Sequence, residues 1–205
     1  QEYQKALTQK NALLKSKIKE TQLHKLVSIY NEQLADHGEK IIRLRQDFLQ
    51  RISEVSRDVH SSLSGGEALG LKYKSSVPTQ GDIKSALYER MDKSLSSEIE
   101  QGFSLYGPHR EDIAVFINGN EIKAYSSQGQ IRTAMLSLKL ATLNIANEDF
   151  NESAVLLLDD VFSELDEARQ GALLERINGQ CFITTATPVK KSIGRVYTVA
   201  NGTVV

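Results

Sequence analysis

Residues 154–160, AVLLLDD, set two carboxylates, Asp159 and Asp160, directly after a continuous apolar run. Such a run reads as a strand buried on both faces of a parallel sheet. The carboxyl end of that kind of strand is where α/β folds bind ligands, and adjacent acidic oxygens there suit a hard divalent cation. Just upstream, SSQGQ (126–130) leads into IRTAMLSLKLATLNIAN (131–147), a helical stretch. A helix N-terminus that offers a serine hydroxyl and glycine-exposed backbone is an anion site. SELD (163–166) follows the two carboxylates almost at once. Cation-holding oxygens and an anion-binding turn, with helix, strand and helix in this order, are the parts of a cassette-type ATPase lobe.

A second spelling competes for the anion-binding role. LSGGE (63–67) is closer than SSQGQ to the LSGGQ signature of ATP-binding-cassette proteins. It follows a helical pattern, however, and leads into the alternating segment Leu69–Tyr73, so no helix N-terminus faces a ligand there. Its paired glycines are expected to make a turn, and SSQGQ is taken as the signature. No G-x-x-x-x-G-K-[ST] phosphate loop occurs in the 205 residues.

The elements that position these groups fall into two parts. Apolar residues at 23, 27, 30, 34, 41, 44, 48, 52, 55 and 59 recur in steps of three and four, one face of a long helix interrupted near Gly38. An earlier helix carrying Leu7, Leu14 and Ile18 is its expected antiparallel partner. Beyond His60, Leu69–Tyr73 has strand alternation, and Asp82 is placed to cap a helix running to about Gln101. Asp112–Ile117 and Glu121–Tyr125 read as a hairpin about Asn118-Gly119, with Tyr125 packing in the core or against the hairpin. Asp166–Ile177 reads as a helix, CFITTA (181–186) as a second apolar strand, and the chain end as a hairpin about Asn201-Gly202. The expectation is an α/β fold: a helical arm domain at 1–102 and an ATPase lobe with parallel strands at 103–205.

A hydrophobic fraction of 40% and a charged fraction of 25% describe a globular chain rather than a disordered one. Net charge is −1, unevenly spread. Lys5, Lys10, Lys15, Lys17, Lys19 and Lys25 outweigh Glu2 and Glu20 over the first thirty residues, so the front end suits a polyanion, or is simply a solvated face. The lone Cys181 excludes an intrachain disulfide and is expected as a small buried thiol. With no apolar run of transmembrane length and no signal peptide, a cytoplasmic location and no membrane partner are expected. The chain opens on Gln, and the numbering is expected to start inside a longer protein.

YGPHREDI (106–113), SSQGQIRTAMLSLKLA (126–141) and LLLDDVFSELDEAR (156–169) together resemble the RecF family of recombination-mediator ATPases, relatives of SMC proteins. NEQLADHGEKIIRLRQDFL (31–49) and LSGGEALGLKYKSS (63–76) resemble that family's inserted helical domain. The resemblance implies ATP and Mg²⁺ as cofactors, Asp159 as the Walker B aspartate on the metal, and Asp160 as the catalytic carboxylate that orients water. It implies that Ser127, Gln128, Gly129 and Gln130 are the signature, which contacts the γ-phosphate held by the opposite subunit. Ser163 and Asp166 would be the D-loop, and Thr184 or Thr185 stands where relatives often carry a switch histidine. It further implies an ATP-dependent homodimer on DNA at single-strand gaps or duplex, work with the RecR and RecO mediators, and a place in DNA repair, replication and the SOS response. The phosphate loop would precede residue 1, so these residues alone are expected to bind ATP poorly. Another cassette-type ATPase subunit and a non-catalytic coiled-coil scaffold are the competing readings. His109 and Arg110 of GPHR stay open between a phosphate or DNA contact and a structural turn, and Arg132 between the nucleotide site and solvent.

Overall fold

Asp82 and Ser127 each open a helix because a short side-chain oxygen can satisfy a backbone N–H that the first turn leaves bare. In the computed structural model, which describes residues 1–186 and 194–204, Asp82 accepts from the Ser85 amide at 2.9 Å and starts α3 (Ile83–Lys93). It is preceded by α1 (Glu2–Leu14), α2 (Glu20–Ser64) and strand β1 (Leu69–Lys74). After it come α4 (Leu95–Gln101), a 3-10 turn (Pro108–Arg110), β2 (Asp112–Ile117), β3 (Asn120–Glu121), α5 (Ile122–Tyr125) and α6 (Gln128–Phe150). Then follow β4 (Leu156–Asp159), a 3-10 turn (Val161–Glu164), α7 (Glu167–Arg176), β5 (Cys181–Thr184), and the terminal pair β6 (Val199–Ala200) and β7 (Thr203–Val204). The helix expected from Asp82 to Gln101 breaks at Ser94, whose hydroxyl donates to the Met91 carbonyl at 2.9 Å and competes with the helical ladder.

The chain forms two compact units interleaved in sequence. One comprises Gln1–Arg51 with Leu71–Ala114, the other Ile52–Gly70 with the described part of Val115–Val205. Residue 103 lies within the first.

The first unit is built on Tyr3, Leu7, Leu34, Ile42, Ile83, Leu87 and Met91, with Leu14, Leu23, Val27 and Leu95 in a second cluster. Within this unit the buried line along α2 runs through Ala35, Ile42 and Leu49 at seven-residue intervals. Leu44 and Phe48, counted on the expected stripe, are exposed instead. Both Ile41-Ile42 and Phe48-Leu49 offer adjacent apolar choices, and packing selects the second of each pair. Gly38 marks a close approach: a β-carbon there would stand 2.9 Å from Leu87 Cδ1.

Beneath these clusters lies a buried ion pair. Lys10 Nζ is 2.7 Å from Glu98 Oε2, with both side chains 0% exposed. The Ser104 hydroxyl and the Leu105 amide donate to the other Glu98 oxygen. Burial pulls the Lys10 pKa down, against the opposing pull of Glu98. One of the six front-end lysines is therefore withdrawn from any polyanion.

His109 joins the same network. Its Nε2–H donates to the Ser104 carbonyl at 3.2 Å, so Nδ1 accepts from the Tyr3 hydroxyl at 2.8 Å. Gly107, at φ 125°, is required because a β-carbon would collide with that hydroxyl. The Arg110 guanidinium lies over the Phe103 ring, 4.7 Å from its centre. His109 thus has both ring nitrogens engaged inside the unit, the structural side of the GPHR alternatives. Burial, the largest influence, lowers its pKa. As pH falls through about 6.5, the unfolded chain takes up a proton at this histidine before the folded chain does. Stability held above that pH is then lost until folded His109 titrates. Urea midpoints should decline on acidification below neutrality, and a His109→Gln variant should show a shallower decline.

In the second unit β4 and β5 pair in parallel, Leu156 opposite Cys181 through Asp159 opposite Thr184. One sheet face packs on Val59, Leu63, Leu136, Leu140, Phe162, Leu165, Leu173 and Leu174. The other face is uncovered: Leu157 is 71% exposed and its register partner Phe182 is 56% exposed. The expected burial on both faces is corrected to one, since among the described residues nothing packs over Leu157 and Phe182. Cys181 is half-buried, its thiol pKa raised by burial. The expected return strand 121–125 is also shortened. After the Asn118-Gly119 turn, β3 spans two residues and the chain coils into α5, burying Ile122 against Leu69, Ile117 and Ala134. Tyr125, expected in the core or against the hairpin, is 78% exposed.

Candidate functional site: the α6 N-terminus and the end of β4

Ser127 and Gln130 close a reciprocal capping box. The Ser127 hydroxyl accepts from the Gln130 amide at 3.2 Å, and Gln130 Oε1 accepts from the Ser127 amide at 3.0 Å. This fixes the entry angle of α6 and leaves Ser127 and Gln128 exposed at its positive end, with Gly129 half-buried behind them. The Arg169 guanidinium lies beside Gly129, with Nη1 3.6 Å from where a β-carbon would be. Three elements therefore make an anion-ready turn: the bare amides of α6, the serine hydroxyl and a cation from α7.

The competing LSGGE segment is the C-terminal end of a helix. α2 stops at Ser64, and Gly65 and Gly66 take φ values of 75° and 112°. The first helix after it opens at Ile83, so the segment's backbone points no helix N-terminus at a ligand. Its glutamate nevertheless reaches the other motif, because Gln130 Nε2 donates to Glu67 Oε1 at 2.6 Å. No pattern in the sequence announces that link, which spans 63 positions.

At the end of β4, Asp159 is bonded to Thr184 on β5, whose hydroxyl donates to Asp159 Oδ1. The Asp160 amide donates to the Thr184 hydroxyl at 3.1 Å and to its carbonyl at 3.0 Å. Asp160 itself adopts a left-handed conformation, φ 49°, which turns the chain out of the strand with its carboxylate exposed. Asparagine and aspartate tolerate that region better than other side chains. Thr184, one of the two threonines considered from sequence, is joined to both acidic residues. Thr185 lies just past β5 and is half-buried.

The SELD segment carries the chain from this turn to α7. The Ser163 hydroxyl donates to the Asp160 carbonyl at 2.8 Å, and Asp166 caps α7 by accepting from the Arg169 amide at 2.9 Å. Arg132, one turn into α6, pairs with Glu164 at 3.2 Å, both about half exposed. Arg132 is thus neither free in solvent nor committed to a ligand. Together these bonds tie the first turns of α6 to the segment that leaves the strand-end carboxylates.

Asp159 and Asp160 fit a magnesium ion that arrives with phosphate. Mg²⁺ is commonly held by one or two carboxylates, with waters and phosphate oxygens completing its shell. Among the described residues, no three His, Cys, Asp or Glu side chains gather as a self-sufficient metal cage. Among them, too, no helix is long and apolar enough to cross a membrane.

No protein-family model matches the chain. Curated relatives described as "DNA replication and repair protein RecF" do. The Clostridium kluyveri protein is 40% identical over 196 residues, 94% of this chain and 54% of its own length. The Bacillus mycoides protein is 42% identical over 199 residues, 91% of this chain and 52% of its own. The chain spans about half the length of these relatives. A solved structure described as the recombination mediator protein RecF-ATP in the RecFOR pathway superposes with a TM-score of 0.82 at 34% identity. That match covers 99% of this chain and 56% of the other. The α/β fold of the chain is the fold of the matched part of that structure.

Proposed function

With homology to about half of RecF as the premise, we propose that the chain is part of an ATP-gated DNA-binding protein of recombinational repair and replication. The observation that carries this is the capped, exposed N-terminus of α6 at Ser127–Gly129. In the proposed protein that turn meets the γ-phosphate of ATP bound to a second subunit, so nucleotide and dimer form together. Ser163 and Asp166, tied to the strand end and to α7, relay the state of one site to the other.

Asp159 holds the Mg²⁺ of the subunit's own nucleotide, and Thr184 orients that carboxylate through its hydroxyl. Bound Mg²⁺ would offset charge on the phosphate oxygens during hydrolysis. Asp160 orients the attacking water and accepts its proton. An aspartate is shorter than the glutamate that many relatives of this fold class carry there, which fits slow turnover. Thr185 is retained as a second candidate γ-phosphate sensor. The phosphate loop has to come from outside these residues. Strands from elsewhere in the protein would continue the sheet at the outer edges of β4 and β5, and further elements would pack on its uncovered face, which carries Leu157.

The DNA would be a single-strand gap or duplex, RecO and RecR would be the partners, and the compartment would be the cytoplasm. The relatives' descriptions support the repair and replication role, and that of the solved structure supports the mediator pathway. Analytical ultracentrifugation of the full-length protein tests the whole reading. We expect a monomer without nucleotide and a dimer with ATP, further favoured by gapped DNA because the two equilibria are linked. A sedimentation coefficient indifferent to ATP would overturn it. An Asp160→Asn variant should keep ATP-dependent dimerisation and lose roughly a hundredfold in hydrolysis, the scale of one general base. Unchanged turnover would remove Asp160 from the catalytic role.

A further inference from the structure

Glu67 belongs to a segment that the motif comparison dismisses, yet it is placed to govern the site. Its carboxylate is 22% exposed and receives the Gln130 side-chain amide at 2.6 Å. When ionised, a carboxylate can only accept hydrogen bonds. It therefore forces the Gln130 amide to turn its NH₂ toward Glu67 and its oxygen toward the Ser127 amide. That is the orientation which closes the capping box at 3.0 Å.

The second carboxylate oxygen is directed at His60. Glu67 Oε2 and His60 Nε2 are both buried without a hydrogen-bond partner and face each other at 3.7 Å. The Ser137 hydroxyl gives its proton to the Thr133 carbonyl at 2.7 Å, so its contact with His60 Nδ1 at 3.1 Å is donated by the imidazole. With its proton on Nδ1, neutral His60 presents a lone pair to Glu67. Burial, the largest influence on its pKa, lowers it and favours that neutral form, while Glu67 works the other way and Arg169 adds to the lowering. Two acceptors in apposition give Oε2 no bond, so among the described residues the carboxylate's side-chain anchor is Gln130.

We propose that Glu67 is the positioning residue of the anion-binding turn. By fixing the Gln130 amide it holds the Ser127 hydroxyl and the Gly129 backbone in the geometry that receives phosphate. The proposal deepens the composite-site reading and rests on it. It also gives the LSGGE-like segment a role: the end of α2 supports the signature rather than being one.

The test compares Glu67→Ala and Glu67→Gln in the full-length protein, with Ser127→Arg as the reference for the site itself. ATP-dependent dimerisation is titrated by light scattering, and amide hydrogen exchange is followed at residues 127–131 and at 134–145. Glu67→Ala should require about tenfold more ATP for half-dimerisation, the scale of one charge-assisted hydrogen bond. It should also speed exchange at 127–131 while leaving 134–145 protected. Glu67→Gln, which can still accept from Gln130, should recover most of both. If Ser127→Arg abolishes dimerisation but Glu67→Ala dimerises like wild type, the positioning role is wrong and the composite site stands. If Ser127→Arg dimerises normally, the site reading fails first. Equal loss in Glu67→Ala and Glu67→Gln, with exchange faster throughout 134–145, would reduce Glu67 to a folding residue and overturn the proposal.

Discussion

Ser127→Arg should abolish ATP-dependent dimerisation of the full-length protein and leave its ATP affinity within about twofold, the size of effect expected when no direct contact is lost. The substitution acts twice at one exposed position. It removes the oxygen that accepts from the Gln130 amide, and losing an N-cap of this kind costs about 1 kcal/mol. It also places a long cation where the γ-phosphate of the opposite subunit would lie, beside the Arg169 guanidinium already at Gly129. On the proposed reading, affinity for the subunit's own nucleotide would rest on Asp159 and the phosphate loop and be spared. Ser127→Ala removes the hydroxyl, as cap and as phosphate contact, without adding a cation and should weaken dimerisation by at least roughly fivefold to tenfold. Light scattering against ATP concentration, paired with nucleotide binding on the same samples, separates the two quantities. Normal dimerisation by Ser127→Arg would mean that the α6 N-terminus faces no shared nucleotide.

The second large effect concerns stability rather than nucleotide. Glu98→Ala should destabilise the unit containing Gln1–Arg51 and Leu71–Ala114 by about 3–5 kcal/mol, because it strands a buried ammonium ion. Lys10 is fully enclosed, and without Glu98 it would keep its bond to the Ser104 hydroxyl at 3.0 Å. The same change releases the Ser104 hydroxyl and the Leu105 amide from their acceptor. A domain's whole stability is about 5–15 kcal/mol, so the variant should lose a large part of it. Lys10→Met combined with Glu98→Leu should recover much of the loss, since an apolar pair of similar volume often replaces a buried ion pair at little cost. Urea denaturation followed by tyrosine fluorescence is suited to the measurement, as the chain has no tryptophan. A Glu98→Ala loss under about 1 kcal/mol would mean that water or another carboxylate reaches Lys10.

Local chemistry explains what could be read in advance. Ser127 and Gln130 stand at capping-box spacing, Asp82 and Ser85 at cap spacing, and Asn118-Gly119 and Asn201-Gly202 turn with both residues at positive φ. Each depends on two or three neighbours in the chain. The phase of the α2 stripe does not. Ile41 and Ile42 satisfy the helical period equally well, and the packed elements decide which is buried. The run AVLLLDD revealed a strand but not that Leu157 would lie open, because hydrophobicity records what can be buried and not what covers it. Lys10 looked like one more surface lysine until Glu98 was brought to it across 88 positions. At the site, the positions of Asp159, Asp160 and Ser127 could be read from the sequence, whereas Glu67 and Arg169 enter through tertiary contacts alone. The hydrogen bond that joins Thr184 to Asp159 likewise needed the register of β4 on β5.

The open face of that sheet also governs how these 205 residues behave when handled by themselves. Leu157 and Phe182 lie side by side across the two strands, Val155 is exposed next to them, and among the described residues β4 and β5 each have a backbone edge unpaired within their sheet. Apolar surface beside free strand edges is a template for self-association. The chain in isolation is expected to be limited by solubility, with turbidity that grows with concentration and is relieved by a Leu157→Lys change. Biochemistry that begins from this fragment will meet aggregation before it meets nucleotide.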